Sequence, residues 1–140
     1  MNTMTLLTTI NWISVILAFV AYFLLGALWY MLLFPKPLRI SLGRDPNINP
    51  SEAPIYIIGP GVCALVVTIT CAILIYALNL TAYSDVIQFV LIVGIGYLFT
   101  NTINIGINPN IPKHFQYGMI TGFYHLVGML IVCSIIYFGK

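Results

Sequence analysis

The side chains able to do chemistry are few, and they lie in apolar surroundings. His125 is the only member of the Asp, Glu, Lys, Arg and His set that falls near the middle of a long apolar run. An imidazole titrates near neutrality and can carry a proton, and an ionisable group inside a bilayer is a functional candidate by default. Upstream, Gly94, Tyr97, Asn101, Asn104 and Asn108 recur at spacings of three and four, which places them on one face of a regular helix. A carboxamide in hydrocarbon without a partner is costly. This stripe is therefore expected to turn toward other helices or toward water, with Asn101 deep and Asn104 and Asn108 near the helix end. Two further stripes carry polar groups: Ser14, Ala18, Tyr22, Gly26 and Tyr30, and Ala64, Thr68 and Ala72. Depth counted from the helix ends puts Tyr22, Thr68, Tyr97, Asn101 and His125 at a similar level, so a small polar core of these five is expected. Such a core can be a hydrogen-bonded clamp that fixes helix packing, worth about 0.6 kcal/mol per bond on average. It can also line a path for a proton or a small molecule.

Other chemistries find little support. No acid lies inside an apolar run to pair with His125, and Ser14 and Ser134 sit toward the far ends of their helices. There is no Gly-rich phosphate loop and no Cys-x-x-Cys pair. An enzyme is not expected, and no catalytic residue is assigned. His114 and His125 would stand roughly 16 Å apart on a helix, too far to share one metal ion, so neither metal nor cofactor is expected. Cys63, Cys71 and Cys133 all fall in apolar runs and read as small packing residues. Cys63 and Cys71 would be separated by roughly 12 Å of helical rise, beyond disulfide reach.

The elements that must position these groups follow from composition. The chain has 140 residues, a mean hydropathy of +1.04, 61% hydrophobic residues and 6% charged ones, against about a quarter charged in a soluble domain. So few charges cannot clothe a water-facing surface. Four apolar runs, at about 10–34, 54–78, 86–105 and 117–138, each reach the roughly 20 residues needed to cross a bilayer as a helix. Helix is the conformation that satisfies its own backbone in lipid, and the continuous runs exclude an alternating barrel strand. The fold expected is all-α: one polytopic membrane domain over 1–140, a four-transmembrane-helix bundle. Pro35 and Pro37 should stop the first helix and open a loop over 36–53. Asp85 with Gln88 looks like a capping pair opening the third helix, and Pro109 and Pro112 separate the third from the fourth. The short link at 79–85 makes the second and third helices antiparallel neighbours. Gly118 and Gly122 form a small-xxx-small pair; with Gly26 and Gly94 they are candidate helix-packing glycines. Trp12, Trp29, Tyr56, Tyr76, Tyr117 and Tyr137 read as anchors at the membrane surfaces. Residues 1–9 hold no Lys or Arg, and the apolar run after them is too long for a cleaved signal, so a retained first span is expected.

The segments Ile10-Asn11-Trp12, Ala21-Tyr22-Phe23 and Gly26-Ala27-Leu28-Trp29-Tyr30 resemble the opening of a bacterial membrane-protein family known as domain of unknown function 1761. Gly94-x-Gly96, the Asn101 and Asn104 region and Gly122-Phe123-Tyr124-His125-Leu126 resemble its second half. The resemblance covers nearly the whole chain. It implies a four-helix membrane protein of bacterial type and no activity, so no functional residue carries over from it.

Three roles fit these residues: a structural or interaction protein, a lipid-facing binding protein, and a proton-linked transport module working as an oligomer. Membrane lipids and further copies of the chain are the partners that suit it; the small charge excess, five Lys and Arg against three acids, does not suit nucleic acid. Lys36, Arg39, Arg44 and Lys113 fall in the first and third loops, against Lys140 on the opposite side. Basic residues stay cytoplasmic, so a cell-membrane location with both termini outside the cytoplasm is expected. A reporter fused after Lys140 should be active only outside the cytoplasm; activity confined to the cytoplasm would reverse the orientation.

Overall fold

The computed structural model describes residues 3–48 and 53–140. Residues 1–2, and residues 49–52 of the expected first loop, lie outside the described residues. Among the described residues there is no strand. Four helices are long and apolar enough to cross a membrane: Trp12–Leu33, Ile55–Ala77, Tyr83–Gly106 and His114–Phe138, here spans 1 to 4. The chain is a multi-pass membrane protein built as an all-α bundle.

Local chemistry sets the ends. Asn11 caps span 1, its Oδ1 accepting from the backbone N–H groups of Ile13 (3.1 Å) and Ser14 (3.4 Å). Span 1 finishes in π-helical turns over Leu28–Leu33. Pro35 and Pro37 do not simply open a loop. They begin a short helix, Pro35–Ser41, because the first helical turn is where proline costs nothing: its missing N–H has no partner there anyway. Asp85 sits inside the first turn of span 3 rather than at its cap. The helix begins at Tyr83, and Asp85 Oδ2 accepts from the Ala82 N–H at 3.2 Å. Span 3 is π-helical across Val90–Phe99.

Span 4 is the axle of the bundle. It packs against all three other spans, while spans 1 and 2 also pack against each other. Span 3 makes its closest backbone approach to span 4. Spans 2 and 3 follow one another across their short link, and side chains of both line one groove. An apolar groove of about 140 Å³ runs between them, with Val66, Thr70 and Leu74 on one wall, Val93, Tyr97 and Leu98 on the other, and Met129 of span 4 at its floor. The glycines of span 4 bring span 3 closest to that helix. A Cβ at Gly118 would stand 2.6 Å from Ile103 Cδ1, and one at Gly122 would stand 2.7 Å from the Phe99 ring. Gly94 receives Leu126 in the same way, at 2.8 Å, and Gly26 receives the Tyr124 hydroxyl at 3.0 Å.

Polar contacts close both ends. On the side of the termini, Asn11 Nδ2 donates to Gly139 O (2.7 Å), Tyr76 Oη accepts from Asn11 N (3.1 Å) and Tyr137 Oη donates to Thr81 O (3.0 Å). On the opposite side, Lys113 N donates to Ser41 O at 3.1 Å. Trp29 Nε1 donates to Ile120 O at 3.0 Å. Trp29, Tyr76 and Tyr137 thus direct their polar atoms to the chain's own backbone as well as marking the span ends.

Candidate functional site

The interior polar site begins with a glycine. Gly128 is buried on span 4, and a Cβ there would overlap the Tyr22 ring. Its bare backbone lets the Tyr22 ring of span 1 lie flat on span 4, where Tyr22 is 1% exposed. His125 stands three residues before Gly128, hence on the same helix face. The Tyr22 hydroxyl and His125 Nδ1 meet at 2.8 Å in a single hydrogen bond. With the phenol as donor, the imidazole proton rests on Nε2. Tyr124 walls the pair. Its ring stacks on Tyr22 with centroids 5.2 Å apart, and it contacts Tyr30 at 4.9 Å and His125 at 4.9 Å.

Of the five residues expected to form a polar core, the structure brings two together. Thr68 is buried, but its hydroxyl donates to Ala64 O at 2.8 Å within its own helix. Tyr97 and Asn101 lie outside the bundle, with Tyr97 73% exposed and Asn101 exposed as well. The π-helical stretch explains the displacement. Its i→i+5 bonding holds more residues per turn than an α-helix, so the face against span 4 repeats at every fourth residue: Val90, Gly94, Leu98, Thr102 and Gly106, all buried or half-buried. A stripe stepping through 97, 101 and 104 drifts off that face and turns outward. Asn108 lies in the loop, its Oδ1 accepting from Asn110 N at 2.8 Å.

A second polar site therefore appears on the outer face of span 3. Gly96, Tyr97, Thr100, Asn101 and Asn104 line an open concavity of about 460 Å³. Thr100 Oγ1 donates to Ile95 O at 2.7 Å. Among the described residues, the carboxamides of Asn101 and Asn104 have no hydrogen-bond partner. Asn101 stands five residues inside the end of span 3, roughly 8 Å along the axis, and Tyr97 lies deeper still. Neither this concavity nor the groove between spans 2 and 3 is lined by Tyr22 or His125.

Sequence reasoning missed Gly128 and Tyr124. A signal for Gly128 was present: glycine inside a helix costs about 1 kcal/mol relative to alanine and calls for a packing reason, and this one stands at i+3 from the only intramembrane histidine. Cys71 and Cys133 are buried and free within the apolar core, on spans 2 and 4. Cys63 is free and exposed. Among the described residues, no three His, Cys, Asp or Glu side chains gather to hold a metal ion.

A family model described as "Protein of unknown function (DUF1761)" matches residues 13–137, and the chain belongs to that family. No curated protein and no solved structure matches it.

The Tyr22–His125 contact makes a quantitative prediction. In a double-mutant cycle of Tyr22→Phe and His125→Phe, unfolding in mixed micelles should show a coupling of about 0.6 kcal/mol, the average for interhelical hydrogen bonds in membranes, and no more than about 1.7. Additive losses would mean that the two side chains do not stabilise the bundle together.

Proposed function

We propose that this membrane protein acts by binding rather than by catalysis, and that the outer face of span 3 is its working surface. One observation carries the reading. The Asn101 and Asn104 carboxamides point away from the bundle with no partner among the described residues, whereas Tyr22 and His125 Nδ1 bond each other inside it. Polar side chains in membrane spans ordinarily face a bundle interior or a water-filled cavity. A face that does neither within its own chain calls for something to cover it. The competing role, proton-linked transport by an oligomer, needs His125 to line an opening, and neither concavity supplies one.

The same reading places the protein in the cell membrane with both termini outside the cytoplasm and without a cofactor. The hydrogen bond from Lys113 N to Ser41 O supports that orientation, since it gathers Lys36, Arg39 and Lys113 at one end of the bundle.

The test separates surface from scaffold. The double variant Asn101→Leu/Asn104→Leu should unfold within about 0.5 kcal/mol of the parent, as exposed substitutions do. Native mass spectrometry of protein released from its own membrane should show that the variant loses the component, protein or lipid, that the parent retains. A variant that keeps the same component as the parent, or a parent that emerges bare, would remove the outer face of span 3 from function.

A further inference from the structure

We infer that a second copy of this chain covers the outer face of span 3, with the two third spans side by side and parallel. This deepens the reading of that face as the working surface by naming its partner.

Four observations converge on a second copy. The first is depth. The polar groups run from Tyr97 through Asn101 to Asn104, over roughly 10 Å of helix axis. A lipid headgroup sits at one level, the membrane surface, and cannot reach both Tyr97 and Asn104; a neighbouring helix runs alongside all of them. The second is shape. Gly96 presents bare backbone outward, with no atom within 4 Å of where its Cβ would be. Every other helix-face glycine that faces a span in this protein is already filled by that span, as Gly94, Gly118, Gly122 and Gly128 show. Close helix approach in lipid depends on such small residues, and Gly96 is an unfilled one at i−4 from Thr100.

The third is chemistry. No charged side chain lines the concavity, so it has no counter-charge to offer an ionic headgroup or a charged partner segment. A carboxamide carries both a donor and an acceptor, which makes it complementary to itself. Two copies inserted in the same orientation are related by an axis along the membrane normal, and such an axis sets each residue opposite its own equivalent. Asn101 then meets Asn101, Asn104 meets Asn104, and Gly96 meets Gly96. Each Asn pair can exchange reciprocal N–H···O bonds, the arrangement by which a single buried Asn fixes a parallel pair of helices. The fourth is access. Ile92, Tyr97, Asn101 and Ile105 are all exposed, so the outer side of span 3 is open along its length.

The experiment is disulfide trapping in native membranes. Cys63 is exposed and is first changed by Cys63→Ser; Cys71 and Cys133 are buried and remain. In that background, Thr100→Cys keeps both carboxamides and should form a covalent dimer with copper-phenanthroline. Val62→Cys, also exposed but on span 2, should not. Adding Asn101→Leu to Thr100→Cys should lower the dimer yield roughly three- to tenfold, as expected for one or two lost interhelical hydrogen bonds, and Asn101→Gln should recover part of it. Thr100→Cys cross-linking no better than Val62→Cys would overturn the second copy. Native mass spectrometry then divides the failures. A monomer holding a phospholipid or a different protein, lost with Asn101→Leu, overturns the second copy and leaves the surface reading standing. A bare monomer overturns both.

Discussion

A hydrogen-bonding group in hydrocarbon has no solvent to satisfy it, and the structure of this protein depends on where each such group finds a partner. The backbone solves the problem by becoming helix. The hydroxyls of Thr68, Thr100, Thr102 and Ser134 solve it by donating back to a carbonyl four or five residues earlier in their own helices. The Tyr22 hydroxyl solves it across helices, through His125 Nδ1. Asn101 and Asn104 cannot do either, because the helix that carries them turns them away from the bundle. The contrast between an interhelical Tyr22–His125 bond inside and unpartnered carboxamides on the outer face is what gives this small protein a direction.

That contrast is a consequence of packing. Without a hydrophobic force between helices in lipid, association rests on close contact and a few polar bonds. Span 4 supplies the contact through Gly118, Gly122 and Gly128, which accept Ile103, Phe99 and Tyr22. Gly128 has a double effect: it brings span 1 against span 4 and it sets the height at which the Tyr22 hydroxyl finds His125. Gly118 and Gly122 bring span 3 closest to span 4, leaving the apolar groove above Met129 between spans 2 and 3. The peripheral position of span 3, and hence its open outer side, follows from where the glycines of span 4 lie.

Much of this was legible in the sequence. Run length, hydropathy and the bilayer's demand for helix are enough to recover four spans, and Tyr22 and His125 could be paired by depth. Gly26, Gly94, Gly118 and Gly122 were recognisable by spacing alone. What was not legible traces mostly to departures from the ideal α-helix. The stripe of Tyr97, Asn101 and Asn104 fits a 3.6-residue period, but span 3 uses wider π turns, so the inner face follows the four-residue beat of Gly94, Leu98, Thr102 and Gly106 instead. Nothing in the local composition of Val90–Phe99 announces that change. Pro35 and Pro37 read as breakers because they follow a helix, although they also suit the first turn of the next one.

The central claim is that span 3 is covered on two sides, by span 4 within the chain and by a partner outside it. A nitroxide scan of residues 92–105 in lipid vesicles, read by collision with oxygen, which partitions into lipid, and with a water-soluble nickel chelate, addresses this directly. The account predicts low access to both reagents at 94 and 102, where span 4 lies, and a second low region at 97, 101 and 104, while Ile92, which is 70% exposed, collides freely with oxygen. Oxygen or nickel access at 97, 101 and 104 as high as the oxygen access at Ile92 would show that face bathed in lipid or water and would contradict the account.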